Sequence, residues 1–298
     1  MIPVSVVIPF HNNEQTLERC IRSALCQNNG ENQILLIDNN STDNSAKLAA
    51  SFEGNQNVNV YKCTEPGSAH ARNLGLDLSI YDFIQFLDAD DHLLVDKLSL
   101  QLKAINTADV ISSAYETEEE NFSEKKLLSK NIWEGLILGT LGVTSSMLFK
   151  KSAVLRAGKW DIAIPNNQEY DLIFRILKTG GSVVTQNEFT TIKDNRQVNS
   201  ISNTTKALYP MTAVTLRQQI EEYLSTNNLI TPSLDTTLYR FYYDKICWLH
   251  SYDPEQAIYL YNQLFSDSEK RKVIPYFKRI LESLLGFGNV RKIRAKFS

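Results

Sequence analysis

Three carboxylates crowd into four positions, Asp88, Asp90 and Asp91, directly after the apolar run at 83–87. Like charges repel and resist burial, so the cluster asks for a positive partner. Two carboxylates spaced as Asp88-Ala89-Asp90 are hard oxygen ligands suited to Mg2+ or Mn2+, ions that keep several waters and share substrate phosphates. A bare Asp-x-Asp triplet also arises by chance. It has a structural alternative, because Asp90 or Asp91 can cap a helix over 92–102. An EF-hand is excluded: the sixth position counted from Asp88 is Leu93 rather than Gly.

The elements that must position these aspartates follow from the apolar patterning. Runs at 4–8, 34–37 and 83–87 are near-continuously apolar, as strands covered on both faces are, and each ends in a polar turn, at Pro9, Asp38 and Asp88. A fourth strand is expected at 58–61. Helical periodicity separates them: 14–26 places Leu17, Cys20, Ile21, Ala24 and Leu25 on one face, Ser41-Thr42-Asp43 opens a second helix, and 69–78 is a third. This alternation predicts an α/β doubly wound sheet with parallel strands. Further on, 108–115 reads as a strand, 116–126 as a charged loop and 144–149 as a strand. A short helix and a turn at Gly158 follow, then a helix over 167–179 stopped by Gly180-Gly181. From about 205 only helices are expected, over 216–223, 234–249, 254–265 and 273–285, the third opened by Asp253-Pro254. A boundary near 204 therefore divides the chain into domains 1–204 and 205–298.

With 43% hydrophobic and 22% charged residues among 298, the chain has the composition of a folded globular protein. No apolar run approaches the roughly 20 residues of a membrane span. The start, MIPVSVVIPF, lacks a basic leader and a small-residue cleavage site, so no signal peptide is expected. Cys20, Cys26, Cys63 and Cys247 fall in no metal spacing and read as reduced thiols of a cytosolic protein. The net charge of −3 conceals a basic end: residues 270–298 carry nine basic side chains against Glu282, a net +8. A polyanionic partner for the whole chain is not expected. The tail, with an amphipathic cationic stretch at 273–285, could meet an anionic membrane surface or simply pack as a solvated helix.

In an open parallel sheet, ligands bind beyond the carboxyl ends of the strands. Pro9-Phe10-His11-Asn12, Asp38 and Asp88 all fall at such ends, so three segments converge on one crevice. The stretches SVVIPFHNNEQTLERCIRSALCQ, ILLIDNNSTDNSAKLA and EPGSAHARNLGLDLSIYDFIQFLDADD, in that order, resemble the nucleotide-sugar domain of the family 2 glycosyltransferases. Residues 144–181 also fit; the helical C-terminal third is not covered. The resemblance implies a GT-A (Rossmann-like) domain followed by a C-terminal α-helical region.

It also implies roles. Pro9, Phe10 and His11 would line the nucleoside pocket. Asp38, a pure acceptor, would face the uracil imide N–H, the alternative being a cap for the helix after Ser41. Arg72, in a stretch resembling the family's glycine-containing loop and Ala-Arg-Asn motif, would meet the base or phosphate, or is only a helix surface charge. Asp90 and Asp88 match the metal motif, with Asp88 and Ala89 also at the donor's ribose or sugar; Asp91 would be a cap or a supporting partner. Glu169 stands where the family usually carries the Asp that deprotonates the acceptor hydroxyl, with Asp171 the fallback, or both merely favour a helix N-terminus. Trp160 is a sugar platform or core. Where many members carry a metal-binding His, in 195–202, this chain has none; His11, His70, His92 and His250 lie elsewhere.

The implied activity is inverting transfer of a sugar from a nucleotide sugar, UDP-hexose or UDP-N-acetylhexosamine, to an acceptor hydroxyl in glycan or polysaccharide biosynthesis. Mn2+ or Mg2+ would be the cofactor and a glycan or lipid-linked glycan the acceptor, with no nucleic-acid partner. The expected location is cytoplasmic, with peripheral contact at the inner face of the membrane through the basic tail. The alternative is a non-catalytic GT-A-like nucleotide- or glycan-binding scaffold, motivated by Glu169 and the missing His. A haloacid-dehalogenase-type phosphatase fits poorly, since its Asp-x-Asp follows the first strand, and no GxGxxG follows the first strand here to suggest a dehydrogenase.

Overall fold

The computed structural model describes residues 2–119, 122–195, 208–267, 270–275, 278–279, 282 and 286–289. The chain divides into two compact units, 1–198 and 199–298. The boundary expected at 204, residues 196–202 of the post-helix segment, most of 276–285 and the basic residues 291–296 lie outside the described residues.

The first unit is built on one mixed sheet. Strand β1 (Ser5–Phe10) lies inside its parallel half and is buried at every position. It pairs in parallel with β2 (Gln33–Asp38) on one side and β4 (Phe83–Phe86) on the other, and β2 pairs in parallel with β3 (Val58–Lys62). Helix α1 (Leu17–Leu25) buries Leu17, Cys20, Ile21 and Ala24, the predicted face except for Leu25, which is exposed. Helices α2 (Ser45–Ala50) and α3 (Ser68–Leu78) complete the crossovers. The closest approach is α3 on β1 at Gly75, where an added Cβ would stand 2.2 Å from Val7 Cγ1.

Beyond β4 the expectation of parallel strands fails. After the short β5 (His92–Leu93) and α4 (Lys97–Ala104) come β6 (Val110–Glu119) and β7 (Phe122–Lys126), which pair antiparallel. Helix α5 (Ile132–Leu138), a 3-10 turn (Thr144–Ser146), β8 (Met147–Lys150), α6 (Lys151–Arg156), α7 (Gln168–Lys178) and β9 (Val183–Asp194) follow. The sheet order is β3-β2-β1-β4-β8-β6-β9-β5, with β7 beside β6. Strand β8 runs antiparallel to both β4 and β6, β5 antiparallel to β9, and β6 parallel to β9. Antiparallel neighbors need no crossover helix, so the alternation of strand and helix no longer predicts them.

Three local expectations are corrected. The helix expected over 92–102 begins only at Lys97, with Asp96 as its cap residue, because His92 and Leu93 pair with β9. The charged loop expected over 116–126 is β-structure: the exposed β7 needs only backbone pairing with β6, which its charged side chains do not prevent. Strand β9 was not anticipated, since Thr185, Gln186 and Asn187 interrupt its apolar residues.

The second unit contains α8 (Tyr209–Thr226), α9 (Pro232–Leu249) and α10 (Pro254–Leu264). Thr231 caps α9 by accepting from Leu234 N–H, and Asp253 caps α10 by accepting from Gln256 N–H, each just before a proline. Its core is aromatic and anchored by two glutamates. Glu221 accepts from the Tyr239 and Tyr242 hydroxyls, each at 2.9 Å, and Glu282 from Tyr243 and Tyr261 at 2.6 and 2.7 Å. Among the described residues no helix is long and apolar enough to cross a membrane.

Candidate active site

The acidic turn sits at the carboxyl end of β4 and is held by α1 from one side. Cys20 Sγ lies 3.5 Å from Asp88 O, Arg19 Nη2 donates to Asp90 O at 3.1 Å, and Ser23 Oγ accepts from Leu93 N–H at 3.1 Å. The turn is closed by Asp91 N–H on Asp88 O, 3.0 Å. From the sheet side, Ser145 Oγ accepts from Asp88 N–H at 3.1 Å and hydrogen-bonds the Asp91 carboxylate. Asp91 Oδ1 also accepts from Asp194 N–H, 3.2 Å, and Arg19 ties Asp194 Oδ2 at 2.6 Å. Asp91, 1% exposed, is therefore a supporting partner that fastens the turn to β9.

Burial and the charge of Asp88 hold Asp90 up at about 6. Burial, with Asp90 and Asp88 beside it, pushes Asp91 up to about 8, against the opposing pull of Lys193. A cation brought to this turn would relieve both strains.

Arg72, on α3, is the hub of the site. Its guanidinium donates to Asp88 Oδ1 and to Gln168 Oε1, both at 2.6 Å, and lies 4.7 Å above the Trp160 ring. It is only 6% exposed, so it is not a surface charge. Two features place α3 to present it. Gly67, at φ +121, turns the chain into the helix and donates its N–H to Asn39 Oδ1 at 2.8 Å; Asn39 Nδ2 in turn donates to Glu65 O at 2.7 Å. Trp160 is core rather than platform: 2% exposed, edge-on to Phe86 at 5.0 Å, and pinned through its backbone by Asn73.

Glu169 stands in the first turn of α7, which Asn167 enters in the left-handed conformation at φ +57. Glu169 is enclosed by protein atoms while retaining some surface. Burial raises its pKa and Asp88 adds to that, while Arg72 and Lys193 oppose it. Asp171 is committed elsewhere, accepting from Arg175 Nε and Nη2 at 2.8 and 2.6 Å.

At the carboxyl end of β1, Pro9 and Phe10 pair with Ile37 and Asp38 of β2. Both side chains are buried, and Phe10, 2% exposed, belongs to the hydrophobic core. Buried Asp38 accepts from Ser41 N–H through Oδ1 at 2.9 Å and closes the turn after β2; it does not cap α2, whose cap residue is Asn44, and the helix expected to open at Ser41-Thr42-Asp43 begins only at Ser45. Exposed His11 meets Asn39 O through Nδ1 at 2.8 Å. Ala89 is buried under the turn.

Four residues escaped the sequence reading: Ser145, Gln168, Lys193 and Asp194. Lys193 lies on β9 directly after Ile192, which pairs with His92, and directly before Asp194, whose N–H donates to Asp91 Oδ1. It shares a face with Thr191, whose hydroxyl donates to Ser145 O at 3.2 Å. Burial alone would lower its pKa, but Asp91, Asp90, Asp88 and Glu169 more than offset that and raise it. The alternation Phe189, Thr191, Lys193 was the available signal.

Among the described residues, no three His, Cys, Asp or Glu side chains converge as a closed metal cage. Asp88 is engaged by Arg72, and Asp90 stands at the same turn. This donor set suits a hard divalent ion that takes its remaining ligands from a diphosphate and water.

Comparison with known proteins agrees with this architecture. Residues 5–159 match the model of Glycosyl transferase family 2. An uncharacterized glycosyltransferase of Rickettsia conorii is 33% identical over 138 residues, 46% of this chain and 22% of that protein. A chondroitin synthase of Escherichia coli is 26% identical over 184 residues, 59% of this chain and 27% of that protein. The chain thus spans well under half the length of such relatives. In fold it resembles S. aureus TarS in complex with UDP-GlcNAc, with a TM-score of 0.63 at 12% identity over 94% of this chain and 92% of that one. It also resembles the mannosyltransferase PcManGT of Pyrobaculum calidifontis in complex with GDP-Man and Mn2+, with a TM-score of 0.59 at 14% identity over 99% and 86% of the two chains. With its mixed sheet, GT-A architecture and additional C-terminal helices, the chain belongs to glycosyl transferase family 2.

Proposed function

We propose that this protein transfers a sugar from a nucleotide sugar to an acceptor hydroxyl with inversion at the anomeric carbon. The donor is a UDP-hexose or UDP-N-acetylhexosamine, and the product belongs to glycan or polysaccharide biosynthesis. The observation that carries the reading is the Arg72 hub. One guanidinium joins Asp88 of the acidic turn to Gln168, the residue before Glu169, so donor-side and acceptor-side carboxylates share one crevice. The polysaccharide synthases among the relatives, and the UDP-GlcNAc and GDP-Man bound by the fold neighbors, support the substrate class.

In the proposed reaction the acceptor O–H gives its proton to the Glu169 carboxylate. The oxygen attacks the anomeric carbon as the bond from that carbon to the diphosphate oxygen breaks, and the nucleoside diphosphate departs on the opposite face. Glu169 suits the base role because burial raises its proton affinity, bringing it nearer to neutral pH. Asp171 is the weaker candidate, since its carboxylate is neutralised by Arg175. Asp38 is assigned to the base of the nucleotide, at the edge formed by Pro9, Phe10 and His11. Arg72 orients Asp88 toward the sugar and ribose and keeps positive charge beside the departing diphosphate. Asp90, with Asp88, would hold Mn2+ or Mg2+, which when bound supplies charge stabilisation to the leaving group.

The test is a binding panel: UDP, GDP, CDP, ADP and UDP-sugars, with and without Mn2+, read by thermal shift and calorimetry on the full chain. UDP-selective stabilisation, enhanced by Mn2+ and lost in Asp90→Asn, is expected. Glu169→Gln should keep that binding and lower transfer by about 10²–10⁴-fold. Nucleotide binding with no transfer from any donor would favor the scaffold reading, and no binding at all would overturn the donor site.

A further inference from the structure

We propose that Lys193 is a positioning residue of this site: a resident cation that balances the acidic turn and competes with the divalent ion for it. The inference rests on the functional reading only in taking the turn as the metal's place. Three geometric facts carry it. Lys193 lies on β9 between Ile192, which pairs with His92, and Asp194, whose N–H donates to Asp91 Oδ1 at 3.2 Å. The backbone there is fixed on both flanks: Asp194 N–H donates to Asp91 Oδ1, and Arg19 bridges Asp194 Oδ2 and Asp90 O. On the same face of β9, Thr191 bonds Ser145 O, and Ser145 Oγ accepts from Asp88 N–H. Lys193 therefore shares the face of β9 that meets Ser145 and, through Ser145, the acidic turn.

The charges facing Lys193 are Asp88, Asp90 and Asp91 from the turn and Glu169 from α7, with Tyr115 of β6 close by. Arg72 already neutralises Asp88, but its ion pair lies on the α3 side. Lys193 supplies positive charge from the β9 side, and that charge acts on the aspartates of the turn and on Glu169. An ammonium on a flexible stem can withdraw when a divalent ion arrives, or turn to a diphosphate oxygen. A fixed fork such as Arg72 is less free to do so.

This arrangement makes two predictions of opposite sign, which a merely structural role would not produce. With Mn2+ alone as the probe, followed by the electron paramagnetic resonance signal of the free ion, Lys193→Met should bind Mn2+ about tenfold more tightly than wild type. That is the order expected when one unit charge leaves a partly solvated carboxylate cluster. In EDTA, with UDP as the probe, the same variant should bind several-fold more weakly, and saturating Mn2+ should shrink that difference. Lys193→Arg should resemble wild type in both, and Lys193→Gln should repeat the Met result if the Met variant folds poorly. Mn2+ affinity unchanged or weakened in both neutral variants would overturn the proposal, whatever the wild type does with nucleotides. A wild type that binds no Mn2+ supports it if the neutral variants gain the ion, and overturns it if they do not. The Mn2+ arm needs no donor, so failure of the glycosyl-transfer reading shows separately, as a wild type that binds no nucleotide.

Discussion

Two polar clusters lie inside the first unit, and they are finished in opposite ways. One surrounds Lys97, which is fully buried and, among the described residues, pairs with no carboxylate. Its Nζ donates to Gln85 Oε1 and to Gln101 Oε1, while Gln101 Nε2 donates to Ser113 Oγ at 2.7 Å and Ser146 O at 2.8 Å. Gln85 Nε2 donates in turn to Ser145 O at 3.1 Å. The other cluster is the turn of Asp88, Asp90 and Asp91, where like charges face one another and both Asp90 and Asp91 are driven toward protonation. The Lys97 network satisfies its polar groups internally and holds α4 against β4 and β6. The acidic turn keeps its carboxylates crowded together, with burial and mutual repulsion raising the proton affinity of Asp90 and Asp91. The two are about one residue apart, at Ser145.

The largest effect should come from opening the closed network. Lys97→Met keeps the volume but strands two buried amide oxygens, Gln85 Oε1 and Gln101 Oε1, and should destabilise the protein by about 3 kcal/mol. The urea midpoint and the amide exchange of β4 and β6 measure it. Lys97 also fixes a pH signature. Burial holds its pKa well below the ordinary lysine range, so between that lowered value and the ordinary one the unfolded chain binds a proton that the folded chain refuses. Stability should therefore rise with pH across that alkaline window, with the penalty complete at its acid end, and Lys97→Met should flatten the slope. An unchanged slope would mean that the amine is not desolvated as its burial implies.

A smaller effect of opposite sign is expected at the turn. Asp90→Asn removes one of the facing charges and should stabilise the ligand-free protein by about 1–2 kcal/mol at pH 8 while abolishing the Mn2+ response. The gain should vanish near pH 4. Asp90 keeps its proton in the fold up to about 6, so its contribution turns unfavorable as pH rises from the ordinary carboxylate value through 6 and stays so above. Thermal unfolding at the two pH values, without metal, tests this. Destabilisation at pH 8 would erase the contrast between the two clusters.

The same contrast explains what was legible in the sequence. The parallel half of the sheet declared itself, because β1, β2 and β4 are unbroken apolar runs ended by Pro9, Asp38 and Asp88. The residues named at their ends do meet at one edge, and Arg72 and Glu169 join them. What escaped was chemistry carried by strands without an apolar signature. Strand β9 mixes Gln186, Asn187 and Glu188 with its apolar positions, so Lys193 and Asp194 were not seen as strand residues opposite the turn. Ser145 and Gln168 escaped for another reason. A hydroxyl and an amide announce nothing until a partner far away in sequence is brought to them: Asp88, 57 positions from Ser145, and Arg72, 96 positions from Gln168. Asp91 was read as a cap or a supporting partner, and only its bond to Asp194 decided between the two.

The smallest predicted effect, a coupling energy, asks whether the two clusters are independent although they share a residue. Ser145 meets the closed network through its backbone oxygen, which accepts from Gln85, and the turn through its hydroxyl, which accepts from Asp88 N–H. Ser145→Ala deletes the contacts of the hydroxyl, with Asp88 N–H and with the Asp91 carboxylate, and should cost about 2 kcal/mol, the ordinary value for two such bonds. Because the backbone oxygen survives, the Lys97→Met and Ser145→Ala effects should add to within about 0.5 kcal/mol in a double-mutant cycle. A coupling of about 1 kcal/mol or more would mean that strain at the turn reaches the Lys97 network through the peptide at 145. Donor binding would then be expected to slow amide exchange around Gln101 as well as at the crevice. Additivity would instead leave the turn free to change its ionic partners without disturbing the core beneath it, which an exchange between Lys193 and a divalent ion requires.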